Sequence, residues 1–358
     1  MSKLLVPAAG LSTRYGLERP KFLLQHPVGV SMLTYGLRDV KKLGVTRVVV
    51  ITLAEFFYDI DENSLAKEVS DFTGVDAEVF LLPNRTQNMV ETLLKYIEAN
   101  PDWDDFFMVK DSDNYISVFE SISQDSNFIA YANLNDFPFV TPGNKSFIEY
   151  DENHIVVNIA EKRVISNLIN VGLIGFSSVT EFLYGMKKIT KLSDIFLSDV
   201  IRVLIDDGAG FQAVKVSEYE DWGVLGDWLK YARKFLTFFV DLDGTLCRNE
   251  HPLSRNGGWS NFEIIPENAE LLLKGNSDAS WQIIFTTSRS EAHRTQITSA
   301  LTDAGFKDFQ LIMGLYHSKR IIINDYSKSN PYPSSVALNL ERNSRSLGGI
   351  LESFWADK

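Results

Sequence analysis

The sequence predicts two α/β units in series, over residues 1–232 and 233–358. Three observations predict this. At roughly 100–200 residues per domain, 358 residues make two or three domains. Short apolar runs alternate with amphipathic segments from the N-terminus onward, the signature of βαβ units and a mostly parallel sheet. Near residue 236 the strand-first pattern starts again.

In the first unit, Lys3–Pro7 (KLLVP) is a strand that feeds a small-residue turn, Ala9–Thr13. Arg47–Thr52 (RVVVIT) is β-branched, with no charge inside the run, and reads as a buried strand. Ala77–Leu82 is another strand, Thr92–Ala99 a helix, and Phe106–Lys110 a strand ending at Asp111 and Asp113. Phe128–Ala132, Ile169–Phe176 and Phe211–Val216 complete the series. Trp228–Phe235 reads as a helix joining the halves, with no Pro/Gly/Ser linker. The second unit has strands at Leu236–Val240, Trp281–Phe285, Phe309–Ile312 and Arg320–Ile323, and helices at Asn268–Lys274 and Arg294–Leu301. Only about 34 residues separate the FFVDLDGTL segment from the strand at Trp281–Phe285, too few for a large inserted cap.

Composition excludes several classes. With 45% hydrophobic and 23% charged residues, the chain is neither disordered nor fibrous. Its 35 basic and 47 acidic residues give a net charge of −12, of which −10 falls in the first 235 residues. That surplus of acid argues against nucleic acid or anionic membrane as partner. A single cysteine, Cys247, allows no intramolecular disulfide and fits a reducing compartment. The first apolar run is too short for a signal segment, and no 18-residue apolar stretch occurs, so the expected location is cytoplasmic. The five histidines lack zinc-ligand spacing.

The chemistry begins at the first turn. Ala8, Ala9 and Gly10 let the backbone approach a bulky anion, and N–H groups in a turn before a helix cradle phosphate oxygens. Arg14 and Lys21 add positive charge, Arg as a bidentate clamp and Lys as a point charge. The full string LLVPAAGLSTRYGLERPKFLL, with Gly10, Ser12, Thr13, Arg14, Pro20 and Lys21, resembles the signature of the sugar-1-phosphate nucleotidyltransferases. The resemblance runs over about residues 1–230. Gln87, Glu91 and Thr92 partly match that family's base-holding segment. Asp113-Asn114 resembles its metal site, Glu161-Lys162 its pair near the sugar phosphate, Asn170-Val171-Gly172 the Asn-x-Gly that follows, and Asp221-Trp222-Gly223 its second metal carboxylate.

The resemblance implies a Rossmann-like domain that transfers a nucleotidyl group from an NTP to a sugar or polyol phosphate and releases pyrophosphate. Its nucleophile is already an anion, so positioning and charge stabilisation by Mg²⁺, Arg and Lys matter more than a strong base. Mg²⁺ takes a few carboxylates plus phosphate oxygens and water, which suits Asp113 and Asp221. Asp111, two residues before Asp113 on a strand end, is a secondary candidate. The partial match at Gln87–Thr92 resembles capsule-type enzymes, some of which use CTP, and so favours CTP over UTP, dTTP or GTP.

The second unit opens with FFVDLDGTL, an apolar strand running into two carboxylates two positions apart. This resembles the first motif of the haloacid dehalogenase-like phosphatases. The resemblance gives Asp241 the role of nucleophile, forming an aspartyl-phosphate, and Asp243 that of acid and base. Thr287 matches the phosphate-binding Thr, with Thr286 as an alternative, and Lys319 the phosphoryl-neutralising cation, with Arg320 as its rival. Asp325 stands as a metal carboxylate beside Asp241 and Asp243, and Asn324 replaces the acid usually found next to it.

The sequence therefore reads as a bifunctional enzyme with Mg²⁺ as cofactor. It would make an activated precursor of a cell-surface polysaccharide and hydrolyse a phosphate monoester before or after transfer. Two other readings stay open: a transferase with a silent phosphatase-like unit, and a nucleotide-sugar sensor that binds without turnover. Oligomeric state is also open, a homo-oligomer included.

Overall fold

A computed structural model describes residues 2–11, 19–118, 122–137, 143, 145–189, 195–255, 257–277, 280–324 and 335–356. The chain divides into two compact units, Met1–Ala232 and Arg233–Lys358. In chain order the first contains β1 (Lys3–Pro7), α1 (Met32–Gly36), β2 (Arg47–Leu53), α2 (Glu62–Thr73), β3 (Asp76–Leu82), α3 (Met89–Glu98), β4 (Phe107–Lys110), β5 (Asn114–Val118), β6 (Asn127–Asn133), β7 (Ser146–Tyr150), β8 (Val156–Glu161), β9 (Leu168–Phe176), α4 (Val179–Lys188), α5 (Leu197–Asp206), β10 (Phe211–Asp221) and α6 (Leu225–Ala232).

The main sheet runs β3-β2-β1-β4-β9-β6-β10-β5, with β7 joined to β8 and β9. Both faces are covered. Leu5, Val49 and Ile51 turn to one core with α3, α4 and α5. Leu4, Val6, Val48 and Val50 turn to the other with α1 and α2. Alternate residues of one strand thus serve two cores, which is why β1 and β2 read as unbroken apolar runs.

The sheet is mixed rather than mostly parallel. The β1–β2, β2–β3, β1–β4 and β6–β10 pairs are parallel. β9 runs antiparallel to both β4 and β6, and β10 antiparallel to β5. A strand buried on both faces has the same apolar run in either direction, so the sequence pattern could not reveal this. Strands β5, β7 and β8, whose polar residues interrupt the run, are also absent from the sequence reading.

This topology gathers the site. β1 is flanked by β2 on one side and β4 on the other, so the strand order reverses there, and the crevice beyond the carboxyl ends of such strands is where α/β sheets bind ligands. Pro7 ends β1 at the small-residue turn, and Lys110 ends the parallel β4 at Asp111. β10 runs back along β5 and pairs Asp221 with Asn114, bringing a distant carboxylate to the same edge.

The second unit contains β11 (Leu236–Asp241), α7 (Pro266–Ser277), β12 (Trp281–Thr286), α8 (Arg294–Asp303), β13 (Gln310–Ile312) and α9 (Leu347–Ala356). Its parallel sheet has the order β11-β12-β13 and a core including Val240, Leu272, Phe285, Ile297 and Leu301. The fourth strand expected at Arg320–Ile323 is not formed. Ile321 and Ile323 are 78% and 90% exposed. Three isoleucines make a run too short to specify a pairing partner. Among the described residues, no helix is long and apolar enough to cross a membrane.

Candidate active site

Two clefts in the first unit meet at Asp111 and Asp113. The smaller, about 370 Å³, is lined by Ala8, Ala9, Gly10, Lys21, Gln87 and Thr92 among others. The larger, about 510 Å³, holds Lys145, Glu161, Asn170, Asp221 and Asp227. Both include Gln87, Asn88, Met89, Asp111 and Asp113 in their walls.

In the smaller cleft, the Ala8 N–H is committed to the Ile51 carbonyl at 2.7 Å. That leaves the backbone of Ala9 and Gly10 to face a ligand. A side chain at Gly10 would meet nothing within 4 Å, so the turn opens onto free space. Ser12, Thr13 and Arg14 lie outside the described residues.

The opposite wall is built by the start of α3. Asn88 Oδ1 accepts from the Glu91 N–H at 2.9 Å, and Glu91 Oε2 reaches back to the Gln87 N–H at 2.6 Å. The Asn88 side chain thereby caps the helix start, and Glu91 fixes the backbone just before it. Glu91 is therefore spent on the helix start and is not among the residues lining either cleft. Thr92 lines the cleft but its hydroxyl bonds Thr86 Oγ1 at 2.7 Å and the Asn88 carbonyl at 3.1 Å. Gln87, Asn88 and Met89 supply the rest of that wall.

Around the junction Asp113 and Asp221 each have a lysine. Lys21 is ion-paired with Asp113 and also reaches the Gly223 carbonyl at 3.3 Å. Lys145 donates to Asp221 Oδ2 at 2.6 Å and to the Tyr219 hydroxyl at 2.8 Å. The Trp222 N–H donates to the Asp113 carbonyl at 2.9 Å, locking the two segments together. A Cβ at Gly223 would stand 3.1 Å from Asp221 Oδ1 and 3.6 Å from Asp113 Oδ2, so the two carboxylates flank one point.

Burial pushes the Asp113 carboxyl upward, but Lys21, Lys145 and Lys110 together hold the group below the usual range. Burial and the charge of Asp113 push Asp111 up to about 7. Burial opposes the charge of Lys145, yet Tyr219 and Asp221 outweigh burial and raise it above the ordinary lysine value. Gly172 explains how Asp111 is accommodated. Its φ is +80°, and a Cβ there would fall 2.1 Å from Asp111 Oδ2. The bend in β9 thus needs glycine both for its backbone and for its neighbour.

Beneath the junction lies Lys110, 2% exposed and unremarked in the sequence. Its ammonium donates to Asn114 Oδ1 at 2.5 Å and to the carbonyls of Asn114 and Asp111 at 2.8 and 3.0 Å. Asn114 Nδ2 in turn donates to the Val171 carbonyl at 2.7 Å. Burial lowers the Lys110 pKa to about 8. Its one signal in sequence is a charge at the end of an apolar strand. In the larger cleft Glu161 accepts from the Ser146 and Ser198 hydroxyls, the latter at 2.9 Å. Asn170 Oδ1 accepts from the Gly172 N–H at 2.9 Å. Lys162 is exposed, with its ammonium 4.3 Å from the ring centroid of Phe196.

The residues present fit Mg²⁺ in this unit. Among the described residues no group of three or more ligating side chains is preassembled. Two converging carboxylates with lysine counter-charges suit an ion that takes its other ligands from phosphate and water.

In the second unit, the carboxyl ends of β11 and β12 lie side by side, with Asp241 paired to Thr286. Asp241 Oδ1 accepts from Arg320 at 3.0 Å, and burial raises its pKa. The structure brings Arg320 to this carboxylate and leaves Lys319 exposed. Thr287 donates to Asp243 Oδ2 at 2.7 Å, while Thr286 faces the Val240 carbonyl at 3.4 Å. Sequence reasoning gave Arg289 no role. It is 0% exposed and donates to Asp243 Oδ1 from Nε and Nη2 at 2.9 and 2.7 Å. Its Nη1 donates to the carbonyls of Trp259 and Asn261. Its signal in sequence is an arginine three residues beyond a buried strand. Asp325 lies outside the described residues. Cys247 is buried, and burial pushes its thiol up to about 12, so it is an inert core thiol.

No protein-family model matches the chain, and no curated protein matches it. Solved structures do. A nucleoside-diphosphate-sugar pyrophosphorylase from Vibrio cholerae RC9 matches with a TM-score of 0.54 and 18% identity, over 64% of this chain and 99% of that one. The inositol-1-phosphate CTP transferase from T. maritima matches at 0.51 and 17%, over 63% and 91%. A UDP-glucose pyrophosphorylase complexed with UDP-glucose matches at 0.50 and 16%, over 65% and 97%. Over about 64% of its length, this chain has the fold of the sugar nucleotidyltransferases.

Proposed function

We propose that the first unit transfers a nucleotidyl group from an NTP to a sugar or polyol phosphate. The observation that carries the reading is the convergence of Asp113 and Asp221, each with its own lysine, where two clefts meet below the small-residue turn. One cleft suits the nucleotide and the other the acceptor. Asp113 and Asp221 would hold Mg²⁺, which when bound supplies charge neutralisation to the triphosphate.

Lys21 lines the same cleft as Ala9 and Gly10 and pairs with Asp113, so its charge is at hand for phosphate oxygens. Glu161 and Asn170 line the acceptor's side. An acceptor phosphate oxygen forms a bond to the α-phosphorus, the α–β bridging bond breaks, and pyrophosphate leaves with the electron pair. No proton need move, so fixed charges do most of the work. The T. maritima neighbour is a CTP transferase, which accords with the sequence's leaning to CTP.

For the second unit we propose phosphate monoester hydrolysis. Asp241 at the end of β11 attacks phosphorus as the ester P–O bond breaks, and the alcohol leaves with the electron pair and a proton from Asp243; Arg320 offsets the charge, and Thr287 and Arg289 hold Asp243 in place. Water then attacks the aspartyl-phosphate and restores the carboxylate. An activated precursor of a cell-surface polysaccharide remains the proposed product, in a reducing, cytoplasmic setting.

Pyrophosphate and phosphate release are measured separately, with Mg²⁺, each of CTP, UTP, dTTP and GTP, and a panel of sugar and polyol phosphates. Lys21→Ala and Asp113→Ala should abolish pyrophosphate release in folded protein, and Asp241→Asn should abolish phosphate release alone. Near-normal pyrophosphate release by both first-unit variants refutes the transfer reading. Phosphate release that survives Asp241→Asn refutes the second.

A further inference from the structure

We propose that Arg342 binds a second phosphate on the substrate of the second unit, so that this unit hydrolyses a sugar or polyol bisphosphate; this rests on the hydrolysis reading of that unit. Arg342 is remote from Asp241 and Asp243 in sequence, yet the fold lays it on the loop that carries them. A Cβ on Gly244 would stand 2.9 Å from Arg342 Cγ and 3.7 Å from its Cδ, so the arginine stem crosses that glycine.

The backbone around Arg342 is stitched to the same loop. The Asn343 N–H donates to the Gly244 carbonyl at 2.7 Å, and Asn343 Oδ1 accepts from the Asn249 N–H at 2.8 Å. Buried Asn268 donates from Nδ2 to the carbonyls of Thr245 and Ser344, at 2.7 and 2.8 Å. An arginine on a backbone held this way loses less freedom when it takes a ligand.

Arg248, Arg294 and Arg345 of this unit are each ion-paired with a glutamate. Arg342 is exposed, and among the described residues its guanidinium has no ion pair and no hydrogen bond. Its charge is still felt at the site. Burial, with the charge of Asp243, keeps the Asp241 carboxyl above its usual range, and Arg320, His317 and Arg342 all act against that.

The phosphoryl group under attack has other partners. Arg320 is already on Asp241, and the Mg²⁺ implied at Asp241 and Asp243 would serve the same oxygens. Arg342 has a different place. Asp243 gives its proton to the leaving group, and Gly244 is the next residue, so the arginine that crosses it lies on the leaving-group side. A guanidinium there can take a second phosphate through two parallel hydrogen bonds. Hydrolysis would then leave a monophosphate, the acceptor class proposed for the first unit.

Two measurements on the full chain test this. The first is phosphate release with Mg²⁺ and no NTP, from glucose 1,6-bisphosphate, glucose 6-phosphate and p-nitrophenyl phosphate. Wild type should show a kcat/KM at least tenfold higher for the bisphosphate than for glucose 6-phosphate. Arg342→Met should lose that preference, through KM, and Arg342→Lys should recover part of it. Added salt should shrink the preference in wild type, because an exposed charge is screened. The proposal is overturned if wild type has no such preference, if Arg342→Met keeps it, or if Arg342→Met slows all three probes alike, which would assign Arg342 to the phosphoryl group under attack. The second is calorimetric titration of Asp241→Asn with glucose 1,6-bisphosphate, which needs no turnover. Adding Arg342→Met should weaken binding at least tenfold. The first unit is the same in both proteins, so the difference belongs to the second. Equal binding, or none, overturns the proposal. Wild type that releases no phosphate from any probe refutes the hydrolysis reading itself, and the titration then decides Arg342 separately.

Discussion

Replacing Arg289 by Met should destabilise the second unit sharply. The guanidinium is wholly buried and makes four hydrogen bonds to oxygen, two to Asp243 Oδ1 and one each to the carbonyls of Trp259 and Asn261, besides a 3.8 Å contact with Cys247 Sγ. Methionine has similar length and no donor. Asp243 then keeps its bond from Thr287 and loses its counter-charge. Removing one partner of a buried pair costs about 3–5 kcal/mol. The Asp243 side chain is 17% exposed and regains some hydration, which places the cost near the lower end. For a unit of this size about 3 kcal/mol corresponds to a fall in melting temperature of roughly 10 °C. Differential scanning calorimetry of the full chain reads the shift. The cause is then isolated by adding Asp243→Leu, which removes the orphaned charge. The double variant should be more stable than the two single losses combined would make it, by at least about 1 kcal/mol. A shift of less than about 3 °C in Arg289→Met, or strict additivity, refutes the reasoning.

Two further outcomes follow from buried titratable groups. His26 is 1% exposed, stacks on Tyr35 with ring centroids 3.6 Å apart, and bonds the Tyr231 hydroxyl at 3.1 Å. Burial holds its pKa down to about 3, against an ordinary 6.5. Between those values the unfolded chain binds a proton that the folded one does not. The stabilising effect of neutral His26 is therefore complete above pH 6.5 and is lost as pH falls toward 3, at about 1.4 kcal/mol per pH unit. Urea unfolding from pH 7 to 4 should show a shallower decline for His26→Phe than for wild type, and equal slopes contradict this. Cys247 should resist alkylation by a thiol reagent at pH 8 in native protein and react fully in denaturant. Rapid labelling of the native protein would contradict its burial.

Much of this architecture was legible because its signals are local. The runs at Lys3–Pro7, Arg47–Leu53 and Trp281–Thr286 are strands because branched apolar residues serve a core on the sheet's faces, and that pattern shows in the residues themselves. The proximity of Asp113 and Asp221 was legible only through resemblance. A pairing between β10 and β5 creates it, and composition does not record pairing. The roles of Lys110, Lys145 and Arg289 escaped for the same reason. Lys145 bonds Tyr219 and Asp221 across more than 70 residues, and Arg289 bonds Asp243 across 46, whereas Lys110 bonds only Asp111 and Asn114 nearby, and there it is the turn between β4 and β5 that sequence does not record. Glu91 shows what local structure adds. Its place in a matching segment suggested a ligand contact, but the carboxylate closes the start of α3. At Arg320–Ile323 the apolar run was real and the strand was not.

The central claim is that the small-residue turn, Lys21 and Asp113 form a nucleotide site. Thermal unfolding of wild type and Lys21→Ala with Mg²⁺ and each nucleoside triphosphate tests it most directly. A ligand at 100 times its Kd adds about 2.7 kcal/mol to the unit that binds it, a rise of several degrees. One nucleotide, CTP first among them, should raise the wild-type transition by that amount and leave Lys21→Ala unmoved. Equal shifts in both proteins, or no shift with any nucleotide, would contradict it.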